Sequence, residues 1–295
     1  MRRKIPSTAA LAAFEAAARH QSFTLAADEL AVTQSAVCRQ IAALEQFVGV
    51  ALFRRSRRGV VLTPAGLQYS RSVRARLDDV ERDTLEVMAK AGAGGSLDVA
   101  VVPTFGTRWL VPRLPAFQRS HPHITIHLQA NTRPFLFDET RLDAAIHAGD
   151  GRWPGTRARL LMPERLLALG APQWLAGRGQ LAAREVAAMP LLQMSTRPYA
   201  WRRWFASQGL LVEAALAGPR MELFSMAMEA AAHGMGAALV PELLAEEELR
   251  SGRLVVLASH PFASDLSYYF IHPEHRTGDP ALASFGDWLV QQATR

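Results

Sequence analysis

An α+β multidomain fold is the class this 295-residue sequence predicts, with an N-terminal winged helix-turn-helix, a long linker helix and a C-terminal α/β domain. Three observations carry it. Two short apolar-faced helices joined by a tight turn lead into a capped third stretch, Thr33 to Gly49. After Thr63-Pro64 a long amphipathic run has no core of its own. Beyond A-G-A-G-G the pattern changes to alternating strands and helices.

The first helix is expected from Thr8 to about His20, with Leu11, Phe14 and Ala18 on one face. Ser22-Phe23-Thr24 makes a turn and cap, and Leu25 to Leu30 a second short helix. Thr33 then caps the third and Gly49 closes it. Val37, Ile41, Leu44 and Val48 recur at helical spacing and predict a buried face. Ser35, Arg39, Ala42 and Gln46 lie opposite, with Gln34 at the start and Cys38 on the flank. Short hydrogen-bonding residues and an arginine on the first turns suit a helix entering the DNA major groove by its N-terminus. An ordinary surface helix shows the same periodicity, so this stretch alone leaves both readings open.

Leu52 to Leu62 reads as a β-ribbon wing whose turn, Arg54-Arg55-Ser56-Arg57-Arg58, is closed by Gly59. Its arginines can reach the sugar-phosphate backbone. Residues 1–76 carry 12 Lys and Arg against 4 Asp and Glu, a balance of +8. The whole chain is +6, so residues 77–295 sum to −2 and the basic charge is local to this segment. Such a patch binds phosphates with salt-sensitive affinity.

Thr63 as cap and Pro64 at the first helical position start a helix expected to reach about Ala91. Val73, Leu77, Val80, Thr84 or Leu85, and Val87-Met88 form a stripe that calls for a partner, either a second copy or the chain's own second domain. Ala91 to Gly95 is a hinge by composition. Strands follow at Leu97–Val102, Ile124–Leu128, Asp143–His147, Arg165–Leu169, Leu191–Met194, Ala237–Val240, Leu254–Leu257 and Ser267–Ile271. Helices are expected at Gly106–Ser120, Ala200–Gln208, Ser225–His233, Pro241–Arg250 and Pro280–Ala293, with a short one ending over Phe137–Thr140. This rhythm implies an α/β sheet with right-handed crossovers.

The segment S-F-T-L-A-A-D-E-L-A-V-T-Q-S-A-V-C-R-Q-I-A-A-L-E closely resembles the DNA-binding motif of the LysR-type transcriptional regulators. So do G-V-A-L-F-R-R and G-V-V-L-T-P-A-G, a match without a gap from about Leu11 to Gly66. T-R-W-L-V-P-R-L-P-A-F, S-H-P-H-I, L-D-A-A-I-H-A-G-D-G-R-W-P-G and F-S-M-A-M-E-A-A-A-H-G-M-G-A-A-L-V-P extend the resemblance to the effector-binding half, as do L-S-Y-Y-F-I-H-P-E and F-G-D-W-L-V. They look like the subgroup of the glycine-cleavage activator and the β-lactamase-inducing regulators. The resemblance implies a winged helix-turn-helix over 1–63, a dimerisation linker helix over 64–91, and over 92–295 a two-lobed α/β domain similar to a periplasmic binding protein. Lobe one would take about 95–165 and 268–295, lobe two about 166–267. It implies a homodimer or homotetramer bound to double-stranded DNA at an interrupted palindrome, answering a small-molecule effector and contacting RNA polymerase.

The DNA contacts expected are Gln34, Ser35 and Arg39 at base edges or groove, Arg54 and Arg55 at phosphates, with Thr33 and Cys38 beside them. Cys38 departs from the family's usual serine; a thiol is a weaker donor. A redox response and a tolerated small replacement both stay open there. An effector between the lobes would meet strand ends and helix starts, which offer unpaired N–H groups. That points to Thr104, Phe105 and Thr107, to Asn131, and to His147 on lobe one. Across the cleft it points to Ser195, Thr196 and Arg197, and to Phe224 and Ser225. Arg197 is the one possible counter-charge. Thr104 and Ser225 could equally be helix caps, His147 a structural histidine, Arg197 a solvent-facing residue and Phe224 core.

An enzyme is not expected. No G-x-S-x-G elbow or G-x-x-x-x-G-K-[ST] loop occurs, and Gly234-Met-Gly236 ends a helix and enters a strand, the reverse of a dinucleotide turn. His121-Pro-His123 and His272-Pro-Glu-His275 lack further ligands for a metal, so neither metal nor cofactor is expected. One cysteine excludes an internal disulfide framework and fits a reducing cytosol. No apolar run approaches the roughly 18 residues a membrane span needs, and Glu15 interrupts the signal-like start. A constitutive DNA-binding protein whose second domain only oligomerises is the alternative function.

Overall fold

The computed structural model describes residues 4–56, 59–89 and 95–294, which fall into two compact units, Met1–Ala93 and Gly94–Arg295. The wing turn Arg57-Arg58 and the hinge Ala91–Gly94 lie outside the described residues, as do the side chains of Arg55 and Val87.

In the first unit, α1 (Thr8–His20) is capped by Ser7, α2 (Phe23–Glu29) by Ser22 and α3 (Gln34–Val48) by Thr33. In each case a side-chain hydroxyl accepts from a first-turn N–H, satisfying a donor the helix itself cannot. Gly49 closes α3 in the left-handed region at φ 74°. β1 (Phe53–Ser56) pairs antiparallel with β2 (Gly59–Leu62), and α4 runs from Pro64 to Ala89. Phe14, fully buried, stacks on Tyr69 and meets Phe53 edge-on, while Val37, Ile41 and Leu44 close the core from α3.

Gly66 on the first turn of α4 shows how tightly helix and wing meet. A Cβ built there would lie 2.1 Å from the backbone oxygen of Leu52. That oxygen also accepts from Thr63 N at 2.9 Å, so it cannot easily withdraw. Glycine to alanine in a helix ordinarily gains up to about 1 kcal/mol. Here overpacking opposes it and should win, giving a net loss of about 1–3 kcal/mol for Gly66→Ala. Urea denaturation of the full chain checks this; a gain in stability would show that the wing moves aside at no cost.

The second unit opens with β3 (Gly95–Val101) and α5 (Pro103–Phe105), which continues as a π turn, Gly106–Leu110. Then come α6 (Leu114–Ser120), β4 (Ile124–Ala130), β5 (Ala144–Gly149) and the 15-residue β6 (Thr156–Gly170). α7 (Ala183–Ala187), β7 (Leu191–Met194), α8 (Ala200–Ala206), β8 (Arg220–Met221) and α9 (Phe224–Ala232) follow. The chain ends through β9 (Ala237–Pro241), α10 (Glu246–Arg250), β10 (Val255–Val256), β11 (Phe262–Pro273) and α11 (Pro280–Ala293).

Among the described residues these strands form one nine-stranded sheet in the order β4-β3-β5-β11-β6-β9-β7-β8, with β10 added on β6. Each lobe has a parallel core: β3 with β4 and β5 in one, β7 with β8 and β9 in the other. β6 and β11 are antiparallel to one another and run through both lobes. Their register breaks between Ala263 and Ser267, where the two strands cross from one lobe to the other. The strands expected at Arg165–Leu169 and Ser267–Ile271 are thus each part of a longer strand. The single helix expected over Gly106–Ser120 is broken, because Pro115, lacking an N–H, stands at the first turn of α6 and starts it afresh. Pro241 likewise ends β9, and Glu242–Leu244 makes a 3₁₀ turn before α10.

Candidate functional site

The solvent face of α3 carries Gln34, Ser35, Cys38 and Arg39, all exposed, with the cap Thr33 at its head. Thr33 Oγ1 lies 3.0 Å from Ser35 Oγ, which orients the first-turn hydroxyls together. Arg54 is exposed on β1, and Arg55 follows it in the same strand. A residue the spacing argument did not single out joins the two elements. Glu45 on α3 accepts from Leu52 N at 2.7 Å and Phe53 N at 3.0 Å. The carboxylate therefore holds the start of the wing against the helix that would read DNA. Below it, Arg19 and His20 at the end of α1 bond Glu29 at the end of α2, at 2.5 and 2.6 Å. Those bonds hold the Glu29 carboxyl down at about 2.

In the second unit a cleft opens where the two lobes meet. Thr104, Phe105, His147, Thr196, Arg197 and Phe224 line it, brought together from four separate segments. Thr104 is buried, and its Oγ1 accepts from Ser225 N at 3.1 Å. Strand-end threonine and helix-start serine are thus one contact across the lobes: the hydroxyl of one lobe caps the helix of the other. Thr132 repeats the device, donating to Glu222 at 3.0 Å. Arg108 makes a third bridge, to Glu247 at 2.5 Å and to buried Glu248.

His147 has an Nε2 that is buried without a hydrogen-bond partner among the described residues. Burial, and then the Arg197 charge, push its pKa down, so the ring is neutral at pH 7. Arg197 is not a free counter-charge. Its Nη2 donates to Glu164 at 2.8 Å, its Nε at 3.1 Å, and Ser264 donates to the same carboxylate at 2.8 Å. Glu164 has no exposed surface and stands on β6 where the strands cross. Burial works against the Arg197 charge, but the Glu164 hydrogen bonds outweigh it and raise the guanidinium pKa.

Four expected residues, Thr107, Asn131, Ser195 and Ser225, lie off the cleft lining. Thr107 is exposed on the π turn and returns its hydroxyl to the carbonyls of Pro103 and Thr104. Asn131 turns its oxygen onto Arg133 N, leaving the next residue, Thr132, on the cleft wall. Ser195 is exposed, its N–H continuing the pairing toward Met221, so that Thr196 faces the cleft instead. Ser225 contributes its backbone N–H. Tyr268, which the strand-end argument passed over, lines the cleft from the middle of β11. Its ring stacks on Phe105 at 4.6 Å, and burial, with Glu164 second, raises the phenol pKa well above its ordinary value. Alternation in L-S-Y-Y-F-I places Tyr268 and Tyr269 on opposite sheet faces but cannot say which one borders a cavity. Among the described residues no group of three or more candidate ligands could hold a metal ion, and no helix is long and apolar enough to cross a membrane.

Residues 8–67 match the bacterial regulatory helix-turn-helix family of the lysR type, and residues 90–294 match the LysR substrate binding domain. The glycine cleavage system transcriptional activator of Escherichia coli K12 is 35% identical over 293 residues, covering 99% of this chain and 96% of that protein. The transcriptional activator AmpR of Citrobacter koseri is 35% identical over 302 residues, covering 99% of this chain and all of that protein. A solved effector binding domain from Citrobacter freundii, carrying three substitutions at a threonine, a serine and a tyrosine, superposes with a TM-score of 0.62. It is 26% identical and covers 68% of this chain and 99% of that one. These relatives are transcriptional regulators, and the subgroup is the one the sequence resembles. The chain belongs to the LysR family: it is a LysR-type transcriptional regulator with a helix-turn-helix domain and a two-lobed effector-binding domain.

Proposed function

We propose that this regulator reads an interrupted palindrome through α3 and is controlled by a small molecule bound between its lobes. The observation that carries the second half is the convergence of Thr104, His147, Thr196, Arg197 and Tyr268 on one cleft spanned by polar bridges. A ligand there contacts both lobes, so it has different affinity for the two lobe arrangements, which is what shifting an equilibrium requires. Thr104, Ser225 and Tyr268 also supply around this cleft the residue types substituted in the Citrobacter freundii domain. Gln34, Ser35 and Arg39 enter the major groove, with Thr33 and Cys38 beside them, and Arg54 and Arg55 hold phosphates. Val80, Leu85 and Met88, exposed along α4, are the face on which a second copy packs, giving a dimer or a tetramer. DNA in the cytoplasm is the target, and RNA polymerase the machinery it contacts there.

The test is footprinting on the intergenic region beside the protein's own gene, at two salt concentrations and with or without candidate effectors. A palindromic footprint that weakens steeply with salt is expected. Its pattern should change with effector in the wild type but not in Thr104→Val. A footprint indifferent to every compound would favour the constitutive alternative.

A further inference from the structure

We propose that the cleft takes a free α-amino acid with a short apolar side chain, its carboxylate on Arg197 and its ammonium on Glu222. This rests on the reading that the cleft is the effector site.

A guanidinium has five N–H donors. Arg197 spends Nε and one Nη2 hydrogen on Glu164 and one Nη1 hydrogen on the Thr196 carbonyl. Two donors are left on a side chain that lines the cleft and is only 11% exposed. Unspent buried donors are costly, and an acceptor supplied by a ligand relieves that cost. Tyr268 also lines the cleft, its ring stacked on Phe105.

The charge balance narrows the class. Glu164 already neutralises Arg197, and His147 is neutral. Glu222, exposed and on the same cleft wall, is therefore the uncompensated charge of the lining. One of its oxygens accepts from Thr132; the other has no partner among the described residues. A phosphate or dicarboxylate would leave anionic groups facing Glu222. A simple amine would leave the Arg197 donors unmet. A molecule with both ends meets both demands.

Polarity sets the rest. Val102, Leu223, Leu244 and Phe224 also line the cleft, which suits a side chain of a few methyl groups and not a second charge.

Calorimetry on the full-length protein tests this with glycine, alanine, valine and leucine. Propionate, ethylamine and N-acetylalanine serve as analogues of alanine that each lack one charged end. Saturable binding of at least one amino acid is expected, with the analogues weaker by about ten-fold or more. Glu222→Gln, at an exposed position, should weaken the amino acid by a similar factor, and Tyr268→Phe should weaken it too. If propionate binds as well as alanine and Tyr268→Phe weakens both, the zwitterion assignment falls and the cleft stands. If an amino acid binds but neither variant matters, the site is elsewhere and both readings fall. If no amino acid binds, the proposal is overturned, and the footprint with Thr104→Val judges the cleft by itself.

Discussion

Glu164→Leu is expected to destabilise the α/β unit by about 3–5 kcal/mol, the usual cost of leaving one member of a buried ion pair behind. The carboxylate has no exposed surface and accepts from Arg197 and Ser264. Its removal strands a guanidinium whose side chain is 11% exposed. Arg197 cannot follow easily, since its Nη1 is also tied to the Thr196 carbonyl and its guanidinium stands 5.8 Å from the Phe224 ring centre. Urea unfolding followed by the fluorescence of the buried Trp201 and Trp204 reads the change in the lobe concerned. The double variant Glu164→Leu with Arg197→Met removes both charges and should recover most of the loss, because two apolar residues replace a pair that was desolvated on both sides. A single-variant loss below about 1 kcal/mol would instead mean that Arg197 swings out past Pro198 and Tyr199, which line an opening on its other side.

This pair also marks where reading the sequence reaches its limit. Features set by neighbours along the chain were legible: Thr33 and Gly49 bound α3 as its cap and left-handed close, and the Thr63-Pro64 start of α4 stands. Strand ends were legible as well, which is why Thr104, His147 and Thr196 were named and do line the cleft. Glu164 and Tyr268 lie mid-strand, and the sequence pattern shows only part of each strand. The outer half of β6, T-R-A-R-L-L-M-P, mixes charge with apolar residues because it is sandwiched between β11 and solvent, so it lacks the continuous apolar signature of a buried strand. Pairing Glu164 with Arg197, 33 residues on, requires the crossing of β6 and β11, and no local pattern encodes a crossing. The very short elements α7 and β8 carry too few residues for any period to register. Asn131 and Ser195 do not line the cleft while their neighbours Thr132 and Thr196 do; one residue of slip in a turn reverses where a side chain goes.

Arg39→Ala is expected to cost about 1–3 kcal/mol at each half-site. Arg39 is exposed two turns into α3, on the face that also presents Gln34 and Ser35. Bidentate contact to a guanine edge is the role its geometry suits, and losing it removes discrimination along with affinity. The proposed dimer through α4 would lose the contact twice, so binding to the palindrome should fall between about 30-fold and 20,000-fold. Arg54→Ala is the control. If Arg54 meets phosphate from the wing as proposed, its loss should weaken cognate and scrambled DNA alike and flatten the salt dependence by about one charge per half-site. Because Glu45 bonds the start of the wing to α3, helix and wing dock as one body, and the two variants report on different contacts of the same pose. Fluorescence anisotropy on the footprinted fragment and on a scrambled one, across a salt series, separates them. Equal losses for Arg39→Ala on both fragments would move Arg39 from the base edges to the backbone, and the task of reading sequence would then pass to Gln34 and Ser35.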